Sequence, residues 1–293
     1  METQLLKGKP VRDAVFAELK EKIAVAPRRP GLAVVLVGDD PASAVYVRHK
    51  EKGCDEVGLH QVTHRLPADT PEAVVLDLIA DLNADPVVDG ILVQLPLPKG
   101  MNQNRVLLSV DPRKDVDGFH PENLGRLMAG QPRFVPCTPK GILRLLSHYD
   151  IPTEGREVAV VGRSLIVGRP LSLLLSLKRP EGNATVTMCH SRTTDLAGAL
   201  ARADIVVAAM GVPQALGPDV VPAGSVVIDV GINRIAAPDR PKGTRLVGDV
   251  ATEALLGHVA ALTPVPGGVG PMTIAMLMSN TLEAAKRFAG VIE

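Results

Sequence analysis

Between Asp39 and Lys50 the chain reads DDPASAVYVRHK. Ser43, Tyr46 and Lys50 stand at i, i+3 and i+7, the spacing that sets side chains on one face of a helix. A lysine held near a phenol on a partly buried face has a lowered pKa and can give and take a proton. The same spacing also fits an amphipathic helix with a packed Tyr46 and a snorkelling Lys50. Two further segments offer groups that could complete a site. GILVQLPLP, from Gly90, puts Gln94 at the carboxyl end of an apolar strand, the edge at which open α/β sheets present ligand groups. KDVDGFHPEN, from Lys114, is a turn-rich loop with two carboxylates, Asp115 and Asp117. A carboxylate there can accept two parallel N–H bonds from an amino-pyrimidine edge, or cap backbone amides in a Gly-ended turn. His49 and His120 read as surface or helix-cap residues rather than catalysts.

A second chemistry is written at Glu157–Gly168, EVAVVGRSLIVG. An apolar strand ends in Gly162, and Gly168 opens a helix; glycine at such points lets backbone approach a pyrophosphate, whose charge a helix N-terminus favours. The spacing is not GxGxxG, and a plain strand–turn–helix fits it as well. The following strand, Thr185–Met188, runs into Cys189, His190, Ser191, Arg192 and Thr193, with no acid before Asp195. A carboxylate at that strand end would bind a ribose hydroxyl and repel a 2′-phosphate, whereas Arg and hydroxyl donors bind the phosphate. With Arg163 in the first loop, the pattern favours NADP over NAD.

The elements that must position these residues alternate between short Val/Ile/Leu runs and helical patterns, which predicts a largely parallel α/β architecture. Strands are expected at Leu32–Val37, Gln61–Leu66 and Gly90–Gln94. Helices are expected at Pro41–Val57, capped by Asp40 and stopped by Gly58, and at Pro71–Leu82, capped by Thr70. A loop-rich stretch, Leu95–Thr138, leads to a helix beginning at Pro139. Strands at Glu157–Val161, Thr185–Met188, Ile205–Ala209 and Ser225–Asp229, interleaved with helices near Gly168–Leu177 and Asp195–Ala201, form a doubly wound nucleotide-binding pattern. The loop PVPGGVG, Pro264–Gly270, precedes a last helix over about Pro271–Phe288. The expected organisation is therefore two domains, residues 1–138 and 139–270, with the terminal segment 271–293 returning to the first.

Composition narrows the function classes. Lys+Arg and Asp+Glu both count 32 in 293 residues, so no global field draws the chain to nucleic acid or an anionic membrane. Trp is absent and aromatics are 2%, which argues against a stacking platform for single-stranded bases. Cys54, Cys137 and Cys189 are widely spaced and odd in number, which fits a reducing compartment and offers no metal-ligand spacing beyond the lone Cys189–His190 pair. The N-terminus has no apolar h-region and no stretch reaches membrane-span length, so a cytoplasmic enzyme is expected, with neither a nucleic-acid nor a membrane partner.

Seven segments in order, GDDPASAVYVRHKEKGCDEVG, DGILVQLPLP, KDVDGFHPENLGRL, PCTPKGI, VVGRSLIVGRP, VIDVGINR and TPVPGGVGPMT, closely resemble the bifunctional methylenetetrahydrofolate dehydrogenase/cyclohydrolases. The likeness runs from the N-terminal helix to the last one. It implies an N-terminal catalytic domain, completed by the C-terminal helix, and a Rossmann-like NADP-binding domain. It implies NADP-dependent oxidation of 5,10-methylenetetrahydrofolate to the 5,10-methenyl form, then hydrolysis to 10-formyltetrahydrofolate, in one shared cleft. Carried onto matching positions, Lys50 is the key residue of hydrolysis, supported by Tyr46 and Gln94, and Asp117 holds the pterin head. Ser43, Gly267, Gly268 and Pro271 fall on the folate side. Gly162, Arg163 and Ser164 form the cofactor loop, with Ser191 near the 2′-phosphate and Ile232 near the far end of the dinucleotide. Such proteins are typically homodimers paired through the cofactor domain, and they need no metal. A monofunctional dehydrogenase and a catalytically silent cofactor-binding protein are the alternatives.

Overall fold

The structure, a computed structural model, describes residues 2–240 and 243–291. In chain order its elements begin with β1 (Gln4–Leu5), α1 (Gly8–Ala24), β2 (Gly31–Val37), α2 (Pro41–Val57), β3 (His60–Leu66), α3 (Glu72–Ala84) and β4 (Gly90–Val93). Three helices follow, α4 (Gln103–Leu108), α5 (Pro121–Met128) and α6 (Cys137–His148). Then come β5 (Glu157–Val161), α7 (Gly168–Ser176), β6 (Thr185–Cys189), α8 (Leu196–Leu200), β7 (Ile205–Ala208) and β8 (Val226–Asp229). The last are β9 (Asn233–Ala236), β10 (Thr244–Val247), α9 (Thr252–Leu255), β11 (Ala261–Leu262) and α10 (Gly270–Phe288).

Contacts divide the chain into two compact units, one of Met1–Arg12 and Thr138–Thr273, the other of Asp13–Cys137 and Ile274–Glu293. The second is built on a three-stranded parallel sheet in the order β3-β2-β4. The central strand β2, GLAVVLV, is buried along its whole length, as a strand covered on both faces requires. Val75, Ile79 and Leu82 of α3 pack on Ala33, Val35, Ile91 and Val93, with Val106 of α4 beside them. Replacing a fully buried side chain such as Ile79 by alanine would cost about 2–5 kcal/mol. From Ile274 onward α10 clusters with this unit, so the C-terminal helix does complete the N-terminal domain.

Helix α2 has the expected bounds, and its ends explain them. Asp40 is its N-cap and accepts a 2.7 Å bond from Ser43 N; Gly58 closes it at φ +86, with its N–H on Cys54 O. Losing the carboxylate in Asp40→Ala should lower stability by about 1 kcal/mol, a fall in Tm of roughly 2–4 °C by thermal denaturation.

The other unit carries a six-stranded, wholly parallel sheet in the order β1-β11-β8-β7-β5-β6. Strands β6 and β7 flank β5 on opposite sides, so the connections diverge there, and ligands lie at the carboxyl ends of strands at such a point. Ala159, Val161, Val206, Ala208 and Val227 form its core with Leu200, Leu216, Leu255 and Leu262.

Several sequence expectations need correction. Residues 2–12 belong to the unit of the six-stranded sheet, because β1 pairs in parallel with β11 through Gln4↔Ala261 and Leu5↔Leu262. Thr70 does not cap α3; Pro71 itself is the cap residue, extended at ψ 142, and no side-chain bond is made there. Helix α6 starts at Cys137 rather than Pro139. The stretch expected to be loop contains α4, capped by Asn102, and α5, capped by His120 with Pro121 in its first turn. The antiparallel pair β9 and β10 was not anticipated, each strand being only 4 residues long.

Candidate active site

The face of α2 that carries Ser43 and Lys50 is buried, at 3% and 9% exposure, while Arg48 and His49 point to solvent. Gln94 continues the edge of β4, its N–H bonded to Val35 O at 2.8 Å. Its side-chain amide donates to Leu95 O at 2.7 Å, which turns Oε1 toward α2, where it accepts from Lys50 Nζ at 2.8 Å. Leu95 O also accepts from Ser43 Oγ at 3.4 Å. The lysine's partner is therefore Gln94, not the phenol one turn away that the spacing suggested. Tyr46 lies partly buried on the same face, and burial pushes its pKa up.

The two carboxylates of the DVDG loop divide the roles that the sequence left open. Asp115 is the turn-former: its oxygens accept from Gly118 N at 3.2 Å, His120 N at 2.8 Å and the Asn123 amide at 2.8 Å. Asp117 stands within electrostatic reach of Lys50 and against the thiol of Cys137. It keeps a little surface access, yet surrounding protein pushes its pKa up to about 6 by desolvation, against the opposing pull of Lys50. Burial likewise lowers the pKa of Lys50, with Asp117 opposing the shift. An amine with a lowered pKa and a carboxyl with a raised one can give and take protons, while the fixed amide keeps the amine in place; together they can hold an amino-substituted ring system. His120, as anticipated, caps a helix, its Nδ1 accepting from Glu122 N at 3.1 Å.

Sequence reasoning missed two supports. Asn280 of α10, fully buried, donates to Val116 O at 2.8 Å and Val135 O at 3.0 Å, tying down the backbone just before Asp117 and Cys137. In the six-stranded unit, the buried Asp229 and Asp249 brace the loops that follow β7 and β8. Burial raises the pKa of Asp229 to about 6. Nothing in local spacing marks Asn280; the acid in VIDVGIN at the end of an apolar strand was a readable signal.

The residues expected on the cofactor side lie at the carboxyl edge of that sheet. Gly162, at φ +135, passes so close to Ala209 that a Cβ would strike its carbonyl, and a Cβ on Gly168 would strike Gly162 O. Ser164 Oγ accepts from Val167 N at 3.1 Å and Gly168 N at 3.4 Å, closing the loop onto α7. Arg163, Ser191 and Arg192 are exposed. His190 Nδ1 accepts from Arg192 N, and Asp195, the first acid after β6, caps α8 by accepting from Gly198 N. Leu165, Ile166, Val212 and Ile232 are 44–54% exposed. A backbone cradle without room for Cβ, flanked by apolar side chains and exposed cations, fits a phosphorylated dinucleotide. Gly267 takes φ +105, and its carbonyl accepts from Gly8 N; Gly268 fits against Pro264 and Thr263, where a Cβ would crowd. Gly270 lies beside Ile232. Pro271, in the first turn of α10, is half-buried. Thus Ser43, Tyr46, Lys50, Gln94 and Asp117 lie in one unit, and Gly162, Arg163, Ser164, Ser191, Ile232, Gly267, Gly268 and Pro271 in the other.

Residues 6–117 match the family profile described as tetrahydrofolate dehydrogenase/cyclohydrolase, catalytic domain, and residues 136–289 the NAD(P)-binding domain of the same description. Among curated relatives, Bifunctional protein FolD of Desulfovibrio desulfuricans is 53% identical over 96% of this chain and 97% of its own. Its Salinibacter ruber counterpart is 54% identical over 97% and 96%. Of solved structures, the bifunctional FolD methylenetetrahydrofolate dehydrogenase/cyclohydrolase of Campylobacter jejuni superposes with a TM-score of 0.90 at 44% identity, covering 97% of this chain and 99% of that one. The Trypanosoma brucei dehydrogenase-cyclohydrolase, complexed with NADP cofactor and inhibitor, gives 0.91 at 37% identity, covering 98% of each.

Proposed function

The chain belongs to the tetrahydrofolate dehydrogenase/cyclohydrolase family, and from that premise we propose that Lys50, Tyr46, Gln94 and Asp117 carry its catalytic chemistry. It is a bifunctional enzyme of one-carbon metabolism, oxidising 5,10-methylenetetrahydrofolate with NADP to the methenyl form and hydrolysing that to 10-formyltetrahydrofolate. The observation that carries the residue assignment is the 2.8 Å bond from the buried Lys50 amine to Gln94, beside Asp117.

Asp117 holds the amino-pyrimidine edge of the pterin, and Ser43 lies on the folate side of the same unit; for Gly267, Gly268 and Pro271 the folate-side assignment is supported by the family resemblance. NADP, when bound, supplies the hydride acceptor for the first step. Gly162, Arg163, Ser164, Ser191 and Ile232 hold it, and that step asks the protein for positioning more than for an acid or base. In the second step water adds to the methenyl carbon and gives a proton to the neutral Lys50 amine. As the bond from that carbon to N5 breaks, the carbinol oxygen becomes the formyl carbonyl, N5 takes a proton, and one proton leaves to solvent. Gln94 keeps the amine aimed while it changes charge, and the Tyr46 hydroxyl on the same face supports it. A second copy pairs through the six-stranded unit, a reading supported by β6 at its sheet edge with Met188 exposed. We place the enzyme in the cytoplasm, in keeping with three buried cysteines; among the described residues no helix is long and apolar enough to cross a membrane.

A two-step assay tests this reading. With NADP and methylenetetrahydrofolate, methenyl absorbance should rise and then decay faster than its spontaneous hydrolysis. Growth without decay would mean a dehydrogenase alone, and silence a binding protein. Repeated from about pH 8 to about pH 5, KM for folate should rise as pH falls through about 6, where Asp117 passes from carboxylate to acid. A flat profile would remove Asp117 from folate binding.

A further inference from the structure

We propose that Asp229 and Asp249 are positioning residues for the dehydrogenase step, a buried carboxylate pair that fixes both loops on which the dinucleotide lies. The proposal deepens the reading above and rests on it. Asp229 ends β8 and Asp249 follows β10; they are 1% and 0% exposed. Among the described residues, their carboxyl oxygens accept hydrogen bonds from backbone N–H groups and one side-chain amide, and neither forms an ion pair with Lys or Arg.

The bonds form a closed circuit. Asp229 Oδ1 accepts from Gly231 N and Asp249 N, each at 2.9 Å, and Oδ2 from Val250 N at 3.1 Å. Asp249 Oδ2 accepts from Met210 N at 2.7 Å and Gly211 N at 2.9 Å, and its Oδ1 from the Asn233 amide at 2.8 Å. Asp249 therefore sets the turn after β7, where Ala209 meets Gly162. Ile232 is bracketed, because Gly231 is tied to Asp229 and Asn233 to Asp249. The fit leaves no slack: a Cβ on Gly231 would strike the Asp249 carboxyl, and one on Gly248 the Asp229 carboxyl.

Burying two carboxylates with no cation beside them is expensive unless their charge is used. Here it orients five backbone N–H groups on segments that must keep a fixed spacing for a ligand to bridge them. A site held this way arrives pre-ordered, so the benefit falls on cofactor binding. The hydrolytic residues lie in the other unit and need none of these bonds.

The test separates the two activities. Asp249→Asn keeps the volume but cannot accept from Met210, Gly211 and Asn233 together. KM for NADP in methylenetetrahydrofolate oxidation should rise roughly 10-fold or more, with a smaller change in kcat. Hydrolysis of methenyltetrahydrofolate supplied directly should stay within about twofold. Asn233→Ala, which trims one arm and leaves both carboxylates buried, should raise the same KM about threefold and lower Tm by roughly 2–4 °C; it decides the matter if Asp249→Asn does not fold. An unchanged KM for NADP in Asn233→Ala and in folded Asp249→Asn, or equal losses in both activities, would overturn the proposal. A wild-type protein that hydrolyses methenyltetrahydrofolate but oxidises nothing with NADP would overturn the functional reading and this proposal with it.

Discussion

Lys50→Met is expected to reduce methenyltetrahydrofolate hydrolysis by roughly 10²–10⁴-fold, the range in which a positioned proton-transfer group contributes, while NADP affinity stays near wild type. The amine is the one depressed base among the four proposed groups, and its bond to Gln94 leaves it a single well-defined position. Methionine preserves length and packing, so the loss would not come from a cavity. The fold should not suffer either. Burial lowers the Lys50 pKa in the native protein, whereas the unfolded chain has the ordinary value of 10.5. Between the native value and 10.5 the unfolded state binds more protons, so stability rises with pH there. At neutral pH and below, the buried amine costs stability, and that cost is relieved only as pH climbs toward 10.5. Methionine removes it, so Tm should equal or exceed the wild-type value. Removing the ammonium also takes away the group that pulls the Asp117 pKa down. Folate binding in the variant should therefore begin to fail at a higher pH than in the wild type. Hydrolysis at the wild-type rate in Lys50→Met would reject the assignment, and a fall in Tm would assign the side chain to the core.

The parts of this site written locally in the chain were the legible ones. Asp40, Pro41 and Gly58 bound α2, so the shared face of Ser43, Tyr46 and Lys50 followed from helical period alone. Gln94 stands out in the sequence because an apolar strand ends there, and the structure bonds it to Lys50. What spacing could not say was which partner Lys50 takes, because Gln94 meets it across the sheet, 44 residues away, and displaces the nearer phenol. The choice between Asp115 and Asp117 was also hidden, since both stand in one turn; Asn123 and the backbone of residues 118 and 120 claim the first and leave the second for Lys50. Strand β1, only 2 residues long, has no period to read, and its place depends on β11 more than 250 residues later. Asn280 belongs to the same class: an ordinary polar residue in a helix until the fold brings Val116 and Val135 to it. Helix α5 is different, for His120–Pro121 carried a start signal within a segment otherwise rich in turns.

Arg163→Ala combined with Ser191→Ala should weaken NADP by roughly 10²-fold or more and NAD by little. The register makes the two residues neighbours: Val161 pairs with Cys189 across β5 and β6, and each chain then runs two residues further to reach Arg163 and Ser191. Adjacent parallel strands lie about 4.8 Å apart, so both side chains rise from the same short stretch of the sheet's carboxyl edge. A phosphate on the 2′ oxygen of the ribose would meet a guanidinium on one side and a hydroxyl on the other. Each charge-assisted bond lost contributes about 1.5–3 kcal/mol, reduced here by solvent because both groups are exposed. NAD, lacking that phosphate, loses no such bond. The backbone cradle proposed for the pyrophosphate is untouched, since Gly162, Gly168 and the Ser164 hydroxyl that closes the loop all remain. Arg192, one residue on, would keep some preference for the phosphate in the double variant, so adding Arg192→Ala should bring the two cofactors closer to parity. Kd values for NADP and NAD measured in parallel decide the point: equal losses for both would mean that these side chains shape the loop without reading the phosphate.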